Sequence, residues 1–268
     1  MIINFITWDV DPEIFHLGYF SLRWYGTLFA AAFVLGYFIL IKIFRQEGVP
    51  VNRLDRLAWY MIFGTLIGAR LGHCLFYEPD YFLKNPVEIL QTWNGGLASH
   101  GAGIGILIAL YIFSRVERCS YFWILDRMTI VVALSGFLIR IGNLMNSEIF
   151  GHPTGLPWGF EFVRSLEWYR SPVFSQPCHP TQIYEALAYL AIFLWLCRMY
   201  FKKKEKLYPG VLLGMFLFSL FTVRFFIEFL KEVQVGFEKG MLLNMGQILS
   251  IPFIFWGIYL LTRRRKMI

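Results

Sequence analysis

The chain has 268 residues, 57% of them hydrophobic and 16% charged, against about 45–50% and about 25% in soluble domains. That balance argues against a soluble domain and for one polytopic membrane unit. The formal net charge of +7 comes largely from lysines and arginines beside apolar runs, which favours a membrane topology signal over nucleic-acid binding.

The opening MIINFITWDVDPEIF has early acids, no basic leader and no small-residue cleavage site, so no cleavable signal peptide is expected. Asp9-Val10-Asp11-Pro12-Glu13 predicts a turn. A spanning helix needs about 20 mostly apolar residues. Seven segments meet or approach this, at residues 22–44, 57–77, 101–113, 122–141, 181–200, 210–230 and 246–261; the third is short. The expected fold is all-α, a membrane bundle of about seven transmembrane helices forming a single integral-membrane domain over residues 1–268. Between the fourth and fifth spans lies a loop at 143–180. Its Gly151, Pro153, Gly155, Pro157, Pro172 and Pro177 disfavour a long helix.

Basic residues follow alternate spans: Lys42, Arg45, Arg53 and Arg56; Arg115 and Arg118; Lys202, Lys203, Lys204 and Lys206; and Arg263, Arg264, Arg265 and Lys266. The other loops are poorer, with Arg23, Lys84, Arg164, Arg170, Lys231 and Lys239. By the positive-inside rule the N-terminus is outside, the C-terminus is cytoplasmic and the 143–180 loop is external. Cys74, Cys119, Cys178 and Cys197 share no metal spacing and no CxxC, so free thiols are expected.

Charges at membrane depth usually face a protein interior or a wet cavity. Arg140, Asn143, Asn146 and Glu148 crowd the end of the fourth span in IRIGNLMNSEIFG, more polar groups than a helix cap requires. Arg224 and Glu228 lie four apart and share a helix face, either as a self-neutralising pair or with Arg224 facing an anion and Glu228 orienting it. Arg70 is either a ligand group or an interfacial structural one, and Glu185 sits in HPTQIYEAL. His100 opens the third span in WNGGLASHGAGIG, whose glycine spacing suits close helix packing; the imidazole is either a structural hydrogen-bonding group or one that titrates near neutral pH. Two or three arginines around a membrane cavity suit a phosphate, most accessibly a phospholipid headgroup. An anion or phospholipid transporter using the same arginines is the alternative, although no internal repeat is evident; a structural scaffold is disfavoured by so many buried charges.

The motifs LRWYGTLF, LIGARLGHCLFYEP, WNGGLASHGAGIG, IRIGNLMNSEIFG, HPTQIYEAL, RFFIEFL and MGQILSIP occur in this order over nearly the whole chain. In this the chain resembles the bacterial prolipoprotein diacylglyceryl transferases. The resemblance implies a plasma-membrane enzyme without metal or organic cofactor. It would move the diacylglyceryl group of phosphatidylglycerol to the lipobox cysteine thiol of a preprolipoprotein signal peptide. It also implies that Arg140 and Arg224 are the essential arginines, that Asn143, Glu148 and Gly151 are signature positions, that Glu228 is the acid after the second arginine, that His100 is a proposed base and that Tyr25 is an important tyrosine. Arg70 and Asn146 join the expected substrate-binding set, and Gly151 is expected to form a turn. Ile139, His152 and Leu220 depart from the family pattern.

Overall fold

The computed structural model describes residues 5–18, 20–92, 95–165, 176–203, 207–231 and 241–263. The expectations at Arg170, Pro172, Lys204, Lys206, Lys239, Arg264, Arg265 and Lys266 lie outside the described residues. The chain forms two compact units, Tyr37–Arg127 and the remainder, Met1–Gly36 with Met128–Ile268.

The larger unit opens with β1 (Ile6–Trp8), a turn, and the antiparallel hairpin β2 (Glu13–Leu17) and β3 (Phe20–Arg23). The turn is the one the acidic run predicts: Asp11 Oδ1 accepts from the Glu13 N–H at 2.8 Å, the local bond that aspartate offers a turn. Arg164 ties both acids down, Nε to Asp9 at 2.6 Å and Nη1 to Asp11 at 2.7 Å. β1 pairs in parallel with β4 (Phe160–Phe162). These four strands correct the all-α expectation. They are three to five residues long, too short for a span-length reading of hydropathy to register.

Six helices among the described residues are long and apolar enough to cross a membrane. They are α1 (Trp24–Gln46), α4 (Ser99–Val116), α5 (Tyr121–Met145), α6 (Thr181–Lys203), α7 (Val211–Ile227) and α8 (Met245–Thr262). The expected span at 57–77 falls on α2 (Val51–Phe76), which carries Arg70 and His73 and is not among the six. The short α3 (Pro79–Phe82) and a 3-10 turn at Pro86–Leu90 follow it. α1 stops at Gly48, whose φ of 67° ends a helix without a Cβ clash, and Pro50 precedes α2.

In the smaller unit, α2 and α4 meet along glycines. A Cβ on Gly68 would strike the Gly101 carbonyl, and one on Gly72 would lie 2.6 Å from Gly101 Cα. The packing expected of the GAGIG stretch is therefore present, with both helix backbones in contact. In the larger unit Gly257 plays the same part between α8 and α7, where a Cβ would come 2.6 Å from the Phe218 nitrogen. At the end of α5 a small apolar core of Leu144, Phe150, Phe160, Phe162 and Cys178 packs with Trp8 and Ile183. Phe150 and Phe162 stack at 4.7 Å, and Trp8 Nε1 donates to the Leu144 carbonyl at 3.0 Å. This core anchors the polar segment that leaves α5.

Candidate active site

The helix α5 gives way to a turn because Ser147 and Ile149 take positive φ, 53° and 60°. Left-handed backbone is costly for a β-branched residue, so other bonds must hold Ile149 there. Thr181 Oγ1 donates to its carbonyl at 3.0 Å, and Gln182 Nε2 donates to the Glu148 carbonyl at 2.7 Å. The Glu148 N–H reaches back to the Asn143 carbonyl at 3.1 Å.

The turn brings the Glu148 carboxylate over the helix end. Its Oε1 accepts from Asn143 Nδ2 at 2.8 Å and from Asn146 Nδ2 at 3.3 Å. The buried Asn143 side chain uses its other amide atom on Arg140, Oδ1 accepting from Nη1 at 3.0 Å. Glu148 therefore acts on Arg140 through an amide that is donor on one side and acceptor on the other. Tyr25 lies against Gly142, where a Cβ would come 2.9 Å from Tyr25 Cδ2, and within electrostatic reach of Glu148 and Arg140.

The carboxylate that touches Arg140 is Glu185, in the second turn of α6. Its Oε2 is 2.8 Å from Arg140 Nε, and its Oε1 accepts from Lys231 Nζ at 3.0 Å. Glu185 is 0% exposed and Lys231 4%. Lys231 also stands 3.5 Å from Glu228. The four groups alternate in sign: Arg140, Glu185, Lys231, Glu228. Burying any one charge without the others would be strongly unfavourable, since an uncompensated ion loses its water.

Gly151 makes this assembly possible. It lies in an isolated bridge with Lys231 and not in the expected turn; it is a point of contact. A Cβ there would strike the Leu230 carbonyl and come 2.8 Å from Thr181 Cγ2. Gly151 donates its N–H to the His179 carbonyl at 2.9 Å, and His152 donates to the Leu230 carbonyl at 2.8 Å. The segment after the turn is thus threaded between the start of α6 and the end of α7. Gly246, in the first turn of α8, closes on Glu228, with a Cβ placed 2.6 Å from the carboxyl carbon.

Arg224 and Glu228 share a helix face but make no ion pair, which corrects the self-neutralising reading; Glu228 is paired with Lys231 instead. Among the described residues Arg224 makes no hydrogen bond or ion pair, and it lies within electrostatic reach of Tyr189. Its donors are thus uncommitted among the described residues.

Arg70 is a different case. In the smaller unit its Nε donates to Ile89 at 2.9 Å, Nη2 to Glu88 at 2.6 Å, and Nη1 to Gly95 at 2.6 Å and Gly96 at 3.3 Å, all carbonyls. Its guanidinium also stands 4.9 Å from the Phe82 ring. Buried and bound to four carbonyls, it clamps the chain at 88–96. This corrects its placement as a substrate-binding group, because its donors are already used. His100 is exposed in the first turn of α4, in the same unit, with no hydrogen-bond partner among the described residues. None of the four cysteines is joined in a disulfide.

The sequence reading missed Lys231, counted as a loop charge, and left Glu185 without a role. The signal for Lys231 was its spacing three residues after Glu228 at a span end.

A profile of the prolipoprotein diacylglyceryl transferase family matches residues 12–263. Among curated relatives, the phosphatidylglycerol–prolipoprotein diacylglyceryl transferase of Porphyromonas gingivalis is 48% identical over 98% of this chain and 95% of its own. That of Tolumonas auensis is 46% identical over 97% of both chains. That of Chloroherpeton thalassium is 45% identical over 98% of this chain and 96% of its own.

Proposed function

Since the chain belongs to the prolipoprotein diacylglyceryl transferase family, we propose that it transfers the diacylglyceryl group of phosphatidylglycerol to the lipobox cysteine of a preprolipoprotein signal peptide. The thiol sulfur attacks the glyceryl carbon that bears the phosphate ester. The carbon–oxygen bond breaks, its electron pair leaves on the phosphate as glycerol phosphate, and a thioether forms.

A neutral thiol is a poor nucleophile, and the leaving phosphate gathers charge. Arg224 supplies the fixed positive charge for that phosphate. The observation that carries this reading is the contrast between Arg224, with no hydrogen bond or ion pair among the described residues, and the Arg140–Glu185–Lys231–Glu228 chain of paired charges beside it in the same unit. Arg140, held by Glu185 and Asn143, offers its remaining N–H bonds to the same phosphate. Asn143, with Asn146 and Glu148, fixes the arginine's edge, and Tyr25 hydrogen-bonds the headgroup. Gly151 keeps Lys231 within reach, and Glu228 sets the charge balance. His100 takes the thiol proton.

The chain is a multi-pass membrane protein. Its finer topology follows the charge pattern: seven spans including α2, in a bacterial inner membrane, with the N-terminus and the 143–180 segment outside and the C-terminus in the cytoplasm. Residues 1–268 act as one integral-membrane domain. The test is incubation of the purified protein with phosphatidylglycerol and a lipobox peptide, followed by mass spectrometry. A peptide heavier by one diacylglyceryl group in thioether linkage supports the reading. Unmodified peptide, with phosphatidylglycerol moving across vesicles that hold the protein, would replace it with transport.

A further inference from the structure

We propose that Glu185 is a positioning residue for the transfer, a single buried carboxylate that aims Arg140 at the substrate phosphate through one oxygen while Lys231 holds the other. The proposal rests on the transferase reading above. Glu185 comes from α6, Arg140 from α5 and Lys231 from the chain just after α7, so one carboxylate joins two cations and, with them, three segments. Its two oxygens are divided between them: Oε2 to Arg140 Nε at 2.8 Å, Oε1 to Lys231 Nζ at 3.0 Å. The Tyr189 hydroxyl, one turn further along α6, donates to Oε1 at 3.4 Å.

The division has a chemical consequence. A carboxylate paired with one arginine tends to take two of its N–H bonds side by side, which hides the cation from an incoming anion. Lys231 occupies Oε1, so Glu185 meets Arg140 through Oε2, 2.8 Å from Nε as an ion pair without a hydrogen bond, while Asn143 engages one Nη1 proton. Arg140 is held by the Glu185 ion pair, the Asn143 amide and the Tyr189 hydroxyl, yet retains N–H bonds for a phosphate. Lys231 also offsets the carboxylate's charge, leaving the positive charge of Arg140 less neutralised than in an isolated pair. Glu228, 3.5 Å from Lys231, closes the alternation. A buried ion pair by itself is weak evidence of stabilisation, because neutral replacements often fold as well. That property separates a positioning role from a structural one.

The experiment compares two variants with the wild type, following thioether formation on a lipobox peptide at varied phosphatidylglycerol together with thermal midpoints in detergent. Glu185→Asp keeps the charge but shortens the reach to Arg140 by one methylene. Glu185→Gln combined with Lys231→Met removes one charge of each sign, taking the direct partner from Arg140 and from Glu228 but leaving those two remaining charges opposite in sign. Positioning predicts that both variants fold while kcat falls about 100-fold or more, the scale of losing one oriented donor in a transition state, and KM for phosphatidylglycerol changes little because Arg224 remains. Either variant folding with kcat close to wild type overturns the proposal, as does a loss confined to KM. A lower midpoint with unchanged kcat in the folded fraction assigns Glu185 a structural role only and overturns it too. A wild-type protein that forms no thioether under these conditions would instead remove the transferase reading itself.

Discussion

The carbonyl oxygen of Leu230 occupies the place where a Cβ on Gly151 would be. This contact passes the end of α7 against the segment leaving α5 and delivers Lys231 to Glu185. Gly151→Ala must push Leu230 away, and backbone cannot yield as a flexible side chain does. The overpacking should cost about 1–3 kcal/mol, lowering the thermal midpoint by roughly 2–4 °C per kcal/mol in a chain of this size. Activity should fall further than stability, by about 100-fold, because a shift near 1 Å is enough to misplace reacting groups. Thermal midpoint and thioether formation measured on the same preparation check both.

Asn143 and Asn146 both reach Glu148 but differ in what else they hold. Asn143 is buried and spans Glu148 and Arg140 at 2.8 and 3.0 Å; Asn146 makes one contact at 3.3 Å. Asn143→Ala leaves the Glu148 carboxylate short of a donor and Arg140 short of an acceptor, each loss worth about 1–3 kcal/mol for a buried group. Its kcat should fall by about 100-fold or more, the scale of one transition-state donor. Asn146→Ala should lose less than about tenfold, in line with one long hydrogen bond of about 1 kcal/mol. Equal losses in the two variants would remove the relay through Asn143.

Much of this was legible in advance, because apolar length and polar interruption are properties of single segments. The apolar runs located six helices of spanning length, and IRIGNLMNSEIFG located the polar end of α5. The glycines of α4 announced close packing. What escaped depends on which segments meet. Arg70, Arg140 and Arg224 look alike as isolated cations in apolar runs, yet one is bound to four carbonyls, one is paired with Glu185 and one makes no pair among the described residues. Lys231 reads as a loop charge until Gly151 draws its backbone inward. Gly151 itself reads as a turn from composition, although proximity to a carbonyl explains it.

The two arginines that sequence could not separate should respond oppositely. Arg70→Met leaves four carbonyls without their shared donor, so it should destabilise the protein by about 3 kcal/mol or more, given about 1.5–3 kcal/mol for a hydrogen bond to a charged group. Arg224→Met removes no hydrogen bond or ion pair among the described residues. Its thermal midpoint should stay near wild type while thioether formation drops by about 100-fold or more, the loss expected when charge on a leaving group is unmet. An unfolded Arg224→Met with a well-folded Arg70→Met would reverse the assignment.

His179 lies before α6, and its pKa is held below the ordinary histidine value, first by burial and then by the neighbouring charge of His152. The fold thus favours the neutral ring. Its contribution to stability is complete above the unfolded value of about 6.5 and is lost as pH falls from there toward the lower folded value. Thermal midpoints taken from pH 7.5 to pH 5.5 should fall more steeply for wild type than for His179→Gln. Parallel slopes would show that protonating this ring does not load the fold.

His100 carries the proton in the proposed reaction, and a kinetic profile tests that role more directly than loss of activity. If the imidazole accepts the thiol proton, wild-type kcat/KM should decline on the acid side as the free base is protonated. His100→Gln removes the base but keeps a hydrogen-bonding side chain of similar reach. Its residual activity should lose the acid limb and rise at high pH, where the peptide thiol ionises without help near its own pKa of about 8.5. A His100→Gln enzyme that is slower but keeps the wild-type pH dependence would assign the proton to another group. His100 would then serve to bind the headgroup or the peptide.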